Sequence, residues 1–174
     1  MPPSAPLETA VVVLVDSPAL DAIYRETYPV MAEQGVPLHV TLVYPFAPPE
    51  ELPAALPRLG AVVAGHKPFA FELTELRTFP EYVWIAPEPA APFRALTSSI
   101  ESAFPDHPHW MGEFAEVIPH ATLAHVGEGG LGDSLARLRA RVDPLLPVPQ
   151  VAEEVAVLAG DGQWSVTTQL RLHG

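Results

Sequence analysis

The sequence contains no cysteine and only one lysine, Lys67, in 174 residues. Without thiols there is no disulfide, no cysteine zinc site and no iron–sulfur ligation, which fits a reducing compartment. Nine Lys and Arg stand against 21 Asp and Glu, a formal charge of −12. Long nucleic acids are held mainly through their phosphates, so this surface would repel them. No apolar run approaches the ~20 residues of a membrane span. No basic residue precedes the apolar run 10–15, which reads as a first strand and not as a signal peptide. The expectation is a cytoplasmic monomer with no membrane partner. Proline is abundant instead, 22 residues scattered along the chain with no run longer than two, and these mark element boundaries rather than a disordered tract. With 48% hydrophobic residues, residues 1–174 should form one domain burying ~70% of its unfolded surface.

Residues 8–16 read as a central strand. Ser17 and Pro18 supply an N-cap and a first turn, and Leu20, Ile23 and Tyr24 follow at helical spacing. Residues 38–44 read as a buried strand bounded by Gly35, Pro37 and Pro45. A helical stretch opens after Pro48, and Pro57 is expected to split it in two. Phe69, Phe71 and Leu73 then alternate with polar neighbours as a half-exposed strand. The second half repeats the order, with a buried strand at 82–86 and a helix from Pro92. A loop rich in Pro, His and aromatics (105–119), a strand to about Val126, a helix capped by Asp133 and strand-like residues 149–159 follow. The interval from His39 to Phe71 matches, to within one position, the interval from His120 to residues 151–153. The matching intervals predict an internal duplication, approximately 8–78 and 80–173, with two similar lobes facing each other across a cleft.

Two polar side chains interrupt the strand at 38–44. His39 and Thr41 are two residues apart and so share one face, while Val40 and Leu42 share the other. The pattern recurs in the second half as His120-Ala121-Thr122-Leu123. With 9 Thr and 20 Leu in the chain, a given histidine has Thr two places on and Leu three places on by chance in about 0.6% of cases. Two of seven histidines doing so is roughly a one-in-a-thousand event. A single such histidine is best read as a half-buried core residue. The pair, in matching positions of an apparent repeat, reverses that preference.

These residues resemble the two His-x-Thr-Leu motifs of the 2H phosphoesterase superfamily, and within it the 2′-5′ RNA ligase-like and cyclic phosphodiesterase proteins. The separation of His39 from His120 and the chain length fit that resemblance. It implies an α+β fold of two pseudo-symmetric sheet-plus-helix lobes flanking a central cleft. It also implies chemistry without a metal or cofactor on 2′,3′-cyclic phosphate or 2′-5′ phosphodiester linkages. The partner would be a small nucleotide or a short RNA end, with 2′-5′ ligation as the reverse reaction. Two imidazoles can serve as base and acid near neutral pH, and two hydroxyls can donate to the non-bridging phosphate oxygens. His39, Thr41, His120 and Thr122 are the catalytic candidates. The residues leave open which histidine is the base, and the resemblance implies His120 for the base and His39 for the acid. A non-catalytic nucleotide- or phosphate-binding module using the same cleft is the alternative.

Other candidates rest on less. Trp110 and Phe114 could stack on a base, and Arg77 and Arg94 could hold phosphate. Strand parity sends Tyr44 and His125 away from the cleft, unless a bulge intervenes. The loop histidines His107 and His109 are expected in solvent without a metal, and Arg137, Arg139 and Arg141 on a solvated helix face.

Overall fold

A computed structural model describes residues 7–112 and 116–174. Its strands are β1 (Glu8–Leu14), β2 (His39–Val43), β3 (Phe69–Phe79), β4 (Tyr82–Glu88), β5 (Ala121–His125), β6 (Val148–Ala152), β7 (Glu154–Gly160) and β8 (Trp164–Arg171). They pair antiparallel throughout, in one curled sheet of order β6-β3-β4-β5-β2-β1-β7-β8. The helices are α1 (Pro18–Thr27), α2 (Pro29–Glu33), α3 (Leu52–Ala64), α4 (Ala91–Ala103) and α5 (Leu131–Val142). This is the mixed α and β architecture expected, with the two His/Thr strands adjacent at the centre of the sheet. Among the described residues no helix is long and apolar enough to cross a membrane.

One face of the sheet carries the core. Val11, Val13, Val40, Leu42, Ile85, Ala121 and Leu123 are buried there against Leu20 of α1, Leu59 of α3, Phe93, Leu96 and Ile100 of α4, and Val142 of α5. Helix α1 starts where the sequence predicts, with Ser17 accepting from Leu20 N–H and Pro18 in the first turn. Pro57 does not split α3, which runs unbroken through it. Pro57 lies on the exposed side, so the carbonyl it deprives of a partner can turn to water. The N-cap of α5 is Gly130, and Asp133 lies in the first turn, where the helix dipole favours an acid.

Two departures from regular pairing shape the other face. On β2, Val43 pairs with Val11 and Thr41 with Val12, so Leu42 has no partner on β1. On β5, Ala124 pairs with Val83 and Thr122 with Trp84, so Leu123 has none on β4. Each is a one-residue bulge, and the two sit at equivalent places, immediately after the two His/Thr pairs. Consecutive residues Leu42 and Val43, and likewise Leu123 and Ala124, therefore all join the helix-side core. A helix threonine reaches each bulged carbonyl. Thr97 of α4 donates to Leu42 O at 2.9 Å, and Thr27 of α1 lies 3.0 Å from Leu123 O while also bonding Ile23 O.

Candidate active site

A cavity of about 830 Å³ lies over the other face of the sheet and reaches Tyr24 of α1 and Met31 of α2, and His39, Thr41, His120 and Thr122 all line it. The register explains why they meet. Val40 pairs with Ala121 across β2 and β5, which one residue to either side sets His39 beside Thr122 and Thr41 beside His120. Side chains directly opposed in an antiparallel pair are about 5 Å apart at Cβ, and diagonal ones such as the two histidines about 7–8 Å. Val40 and Ala121, fully buried, hold the pair from behind.

The two imidazoles are oriented in the same way. His39 Nδ1 lies 2.6 Å from Pro37 O, and His120 Nδ1 lies 2.7 Å from Ile118 O. A carbonyl only accepts, so Nδ1 carries the proton in both neutral rings and Nε2 keeps its lone pair. Thr41 Oγ1 is 3.0 Å from His39 Nε2 and donates to it in that tautomer. His120 has no such side-chain partner among the described residues. Its ring packs edge-on against Phe79, with centroids 5.1 Å apart, and near Trp84 at 5.7 Å. Burial lowers the pKa of both histidines, and the charge of His120 adds to the effect on His39. Two imidazoles that share one cleft, the charge of one bearing on the protonation of the other, can divide the roles of acid and base.

The remaining candidates divide. Trp110 lines the cavity. Phe114 lies outside the described residues. Arg77 and Arg94 do not line it. The Arg77 guanidinium pairs with Glu75 at 2.6 Å and lies over the Trp84 ring. Arg94 donates to Val117 O at 3.2 Å and lies 4.0 Å from Glu116, so it braces the segment leading to His120. Among the described lining residues there is no Lys or Arg, and the charged ones are Glu81 and Glu116. Rings dominate the wall instead, among them Tyr24, Tyr28, Tyr82 and Trp164.

Two expectations require correction. The bulge at Leu42 reverses parity, so Tyr44 lines the cavity, and its hydroxyl donates to Glu8. His125 does not line the cavity, and its exposed ring packs on those of Tyr82 and Tyr28 at 4.9 and 5.8 Å. His109 is buried, at 9% exposure, and lines the cavity, whereas His107 faces Glu51 at 3.2 Å. His109 is the titratable lining residue that the sequence did not single out for the site, as it did not the rings of Tyr24, Tyr28, Tyr82 and Trp164. Its one sequence signal was a histidine between Pro108 and Trp110, which does not separate a buried ring from an exposed one. The three cleft histidines do not form a metal-ligand set. Among the described residues no three His, Asp or Glu side chains converge closely enough to share an ion.

A family model described as the 2′-5′ RNA ligase superfamily matches residues 16–164. Among solved structures, LigT of E. coli in complex with 3′-AMP is 16% identical with a TM-score of 0.65, over 97% of this chain and 99% of that one. TT0787 of Thermus thermophilus is 18% identical with a TM-score of 0.62, over 96% and 98%. Usb1 of Kluyveromyces marxianus is 18% identical with a TM-score of 0.58, over 98% and 100%. At these identities the likeness is one of fold. A search of curated proteins finds no match.

Proposed function

Since the chain belongs to the 2′-5′ RNA ligase superfamily, within the 2H phosphoesterases, we propose that it is a phosphoesterase opening 2′,3′-cyclic phosphates of nucleotides or short RNA ends. Its acid and base would be His39 and His120. The observation that carries this reading is the paired placement of the two His/Thr strands, which puts both imidazoles and both hydroxyls in one cavity. Water attacks phosphorus, one histidine takes its proton, and the opposite ribose oxygen leaves with a proton from the other. The product is a 2′- or 3′-phosphomonoester. Thr122, and Thr41 once His39 Nε2 carries a proton and no longer accepts from it, donate to the non-bridging oxygens, where charge gathers in the transition state. With a ribose 5′-hydroxyl in place of water as the nucleophile, the same ring opening makes a 2′-5′ linkage and the 3′ oxygen leaves with the proton. LigT with 3′-AMP bound supports a nucleotide-sized ligand for this fold, and the acidic charge of the chain disfavours long RNA.

The test is turnover of 2′,3′-cyclic nucleotides in excess EDTA by wild type, His39→Ala and His120→Ala. Activity should survive the chelator, and each variant should lose about 10²–10⁴-fold. A fully active double variant would defeat the two-histidine reading. An inactive wild type that still binds nucleotide would make the cleft a binding module.

A further inference from the structure

Below the two His/Thr rows lies a third polar group that the chemistry above does not use. Along β2 the rows run His39 with Thr122, then Thr41 with His120, and past the bulge comes Tyr44. Strand geometry puts Tyr44 about 7–10 Å beyond Thr41, on the side away from His39. The Tyr44 backbone there holds the turn that carries His109. Tyr44 N–H donates to His109 Nδ1 at 3.0 Å, and Trp110 N–H donates to Tyr44 O at 2.7 Å. The His109 backbone N–H donates to Glu101 Oε1 at 2.9 Å. The ring is thus fixed from both ends. Because an N–H occupies Nδ1, the ring proton sits on Nε2. That N–H finds no acceptor among the described residues, in a ring that is 9% exposed and lines the cavity.

The Nε2–H faces the cavity, where a ligand acceptor can take the place of water. Burial and the charge of His120 push the His109 pKa down to about 4, so near neutral pH the group donates without carrying charge. The surroundings say what kind of acceptor. Tyr44 meets Trp110 edge-on at 5.4 Å and Trp164 at 6.3 Å, and all three rings line the cavity. Aromatic walls beside one in-plane donor suit a flat heterocycle with a ring nitrogen or carbonyl oxygen at its edge. With phosphorus held between His39 and His120, the base of the same nucleotide is the part that reaches this row.

We propose that His109 is a base-recognition residue of this cleft, its Nε2–H donating to an acceptor on the nucleobase of the bound nucleotide. The proposal rests on the nucleotide reading above, and its test separates the two. The variants are His109→Asn, which can accept from Tyr44 N–H but does not reach the cavity, and His109→Gln, which can place an amide N–H near the position of Nε2. Each is assayed with the 2′,3′-cyclic forms of AMP, GMP, CMP and UMP, and 3′-AMP binding is measured by calorimetry. His109→Asn should raise KM about 3–10-fold for the preferred base, flatten the base preference and weaken 3′-AMP binding, with kcat within about twofold. His109→Gln should recover much of the loss. Near-wild-type Asn with an impaired Gln variant would mean a structural role and overturn the proposal. Loss of one limb of the pH–rate profile would make His109 an acid–base group and overturn it equally. If wild type turns over none of the four, the calorimetric ranking still decides. Weaker binding by Asn upholds base recognition while the hydrolytic reading falls, and absence of any binding overturns both.

Discussion

Lowering the pH should unfold this protein in part through one residue, His109. An unfolded histidine titrates near 6.5, whereas the folded ring, held neutral by burial and by the neighbouring charge of His120, does so at about 4. Between those values the unfolded chain binds the extra proton and the folded one does not. Stability is therefore intact above about pH 6.5 and is lost as pH falls toward 4. Going from pH 7.5 to pH 5.5, a single such group removes at most about 1 kcal/mol, a several-fold change in the folding equilibrium, because the cavity that the ring lines admits some solvent. At this chain length that corresponds to a melting temperature lower by about 2–4 °C. The assay is urea unfolding of wild type and His109→Asn at both pH values. Asparagine keeps an acceptor for Tyr44 N–H and does not titrate. His39 and His120 are present in both proteins, and their own contributions largely cancel in the comparison. Wild type should lose up to about 1 kcal/mol more than the variant on acidification. Equal losses would show that the folded ring titrates like an unfolded one and would refute the lowered pKa of His109.

Burial lowers the pKa of both His39 and His120, so in the free enzyme either gains its proton only below the ordinary value of 6.5. The profile of kcat/KM should be bell-shaped with its maximum on the acid side of pH 6.5, and a maximum above pH 7.5 would contradict the assignment. Thr97→Val removes the hydroxyl that satisfies the carbonyl of the bulged Leu42. It should cost about 1–3 kcal/mol by denaturant titration and lower activity through the strand that carries His39 and Thr41, and a cost below about 0.3 kcal/mol would exclude that role. Arg77→Gln should leave KM within about twofold, since its guanidinium is taken up by Glu75 and Trp84 outside the cavity. A tenfold rise in KM would place it on the substrate after all.

How much of this was legible depended on how far apart the deciding partners lie. Ser17 and Pro18 announce α1 because a cap is read from its immediate neighbours. His39 and Thr41 announce a shared face because strand alternation is local. The face of Tyr44 is not local. Whether Leu42 is bulged depends on how many residues β1 places opposite it, and no property of 38–44 alone reports that count. His109 is hidden for the same reason. Its ring is ordered by the backbone N–H of Tyr44, far earlier in the chain, and a Pro-rich loop sequence gives no sign of such a contact. Arg77 and Arg94 fail differently. Basic residues are scarce enough here to draw attention, but each is already engaged by an acid or a carbonyl nearby.

The two bulges bear on the duplication that the sequence suggested. Leu42 and Leu123 are separated by the same interval as His39 and His120, and each has its carbonyl met by a threonine from the helix packed beside it. A regular strand has no need of either feature, so their joint recurrence is a more demanding coincidence than a repeated tripeptide. The pairing agrees. Val40 pairs with Ala121, its counterpart at that same interval, as a two-fold relation between β2 and β5 requires. We infer that residues 8–78 and 80–173 descend from one unit, with the strands after each His/Thr strand exchanged. β3 of the first half joins β4 of the second, and β7 of the second joins β1 of the first. The two sides of the sheet, β6-β3-β4-β5 and β2-β1-β7-β8, each draw strands from both halves of the sequence, and β2 and β5, with one histidine each beside the cavity, meet at its centre.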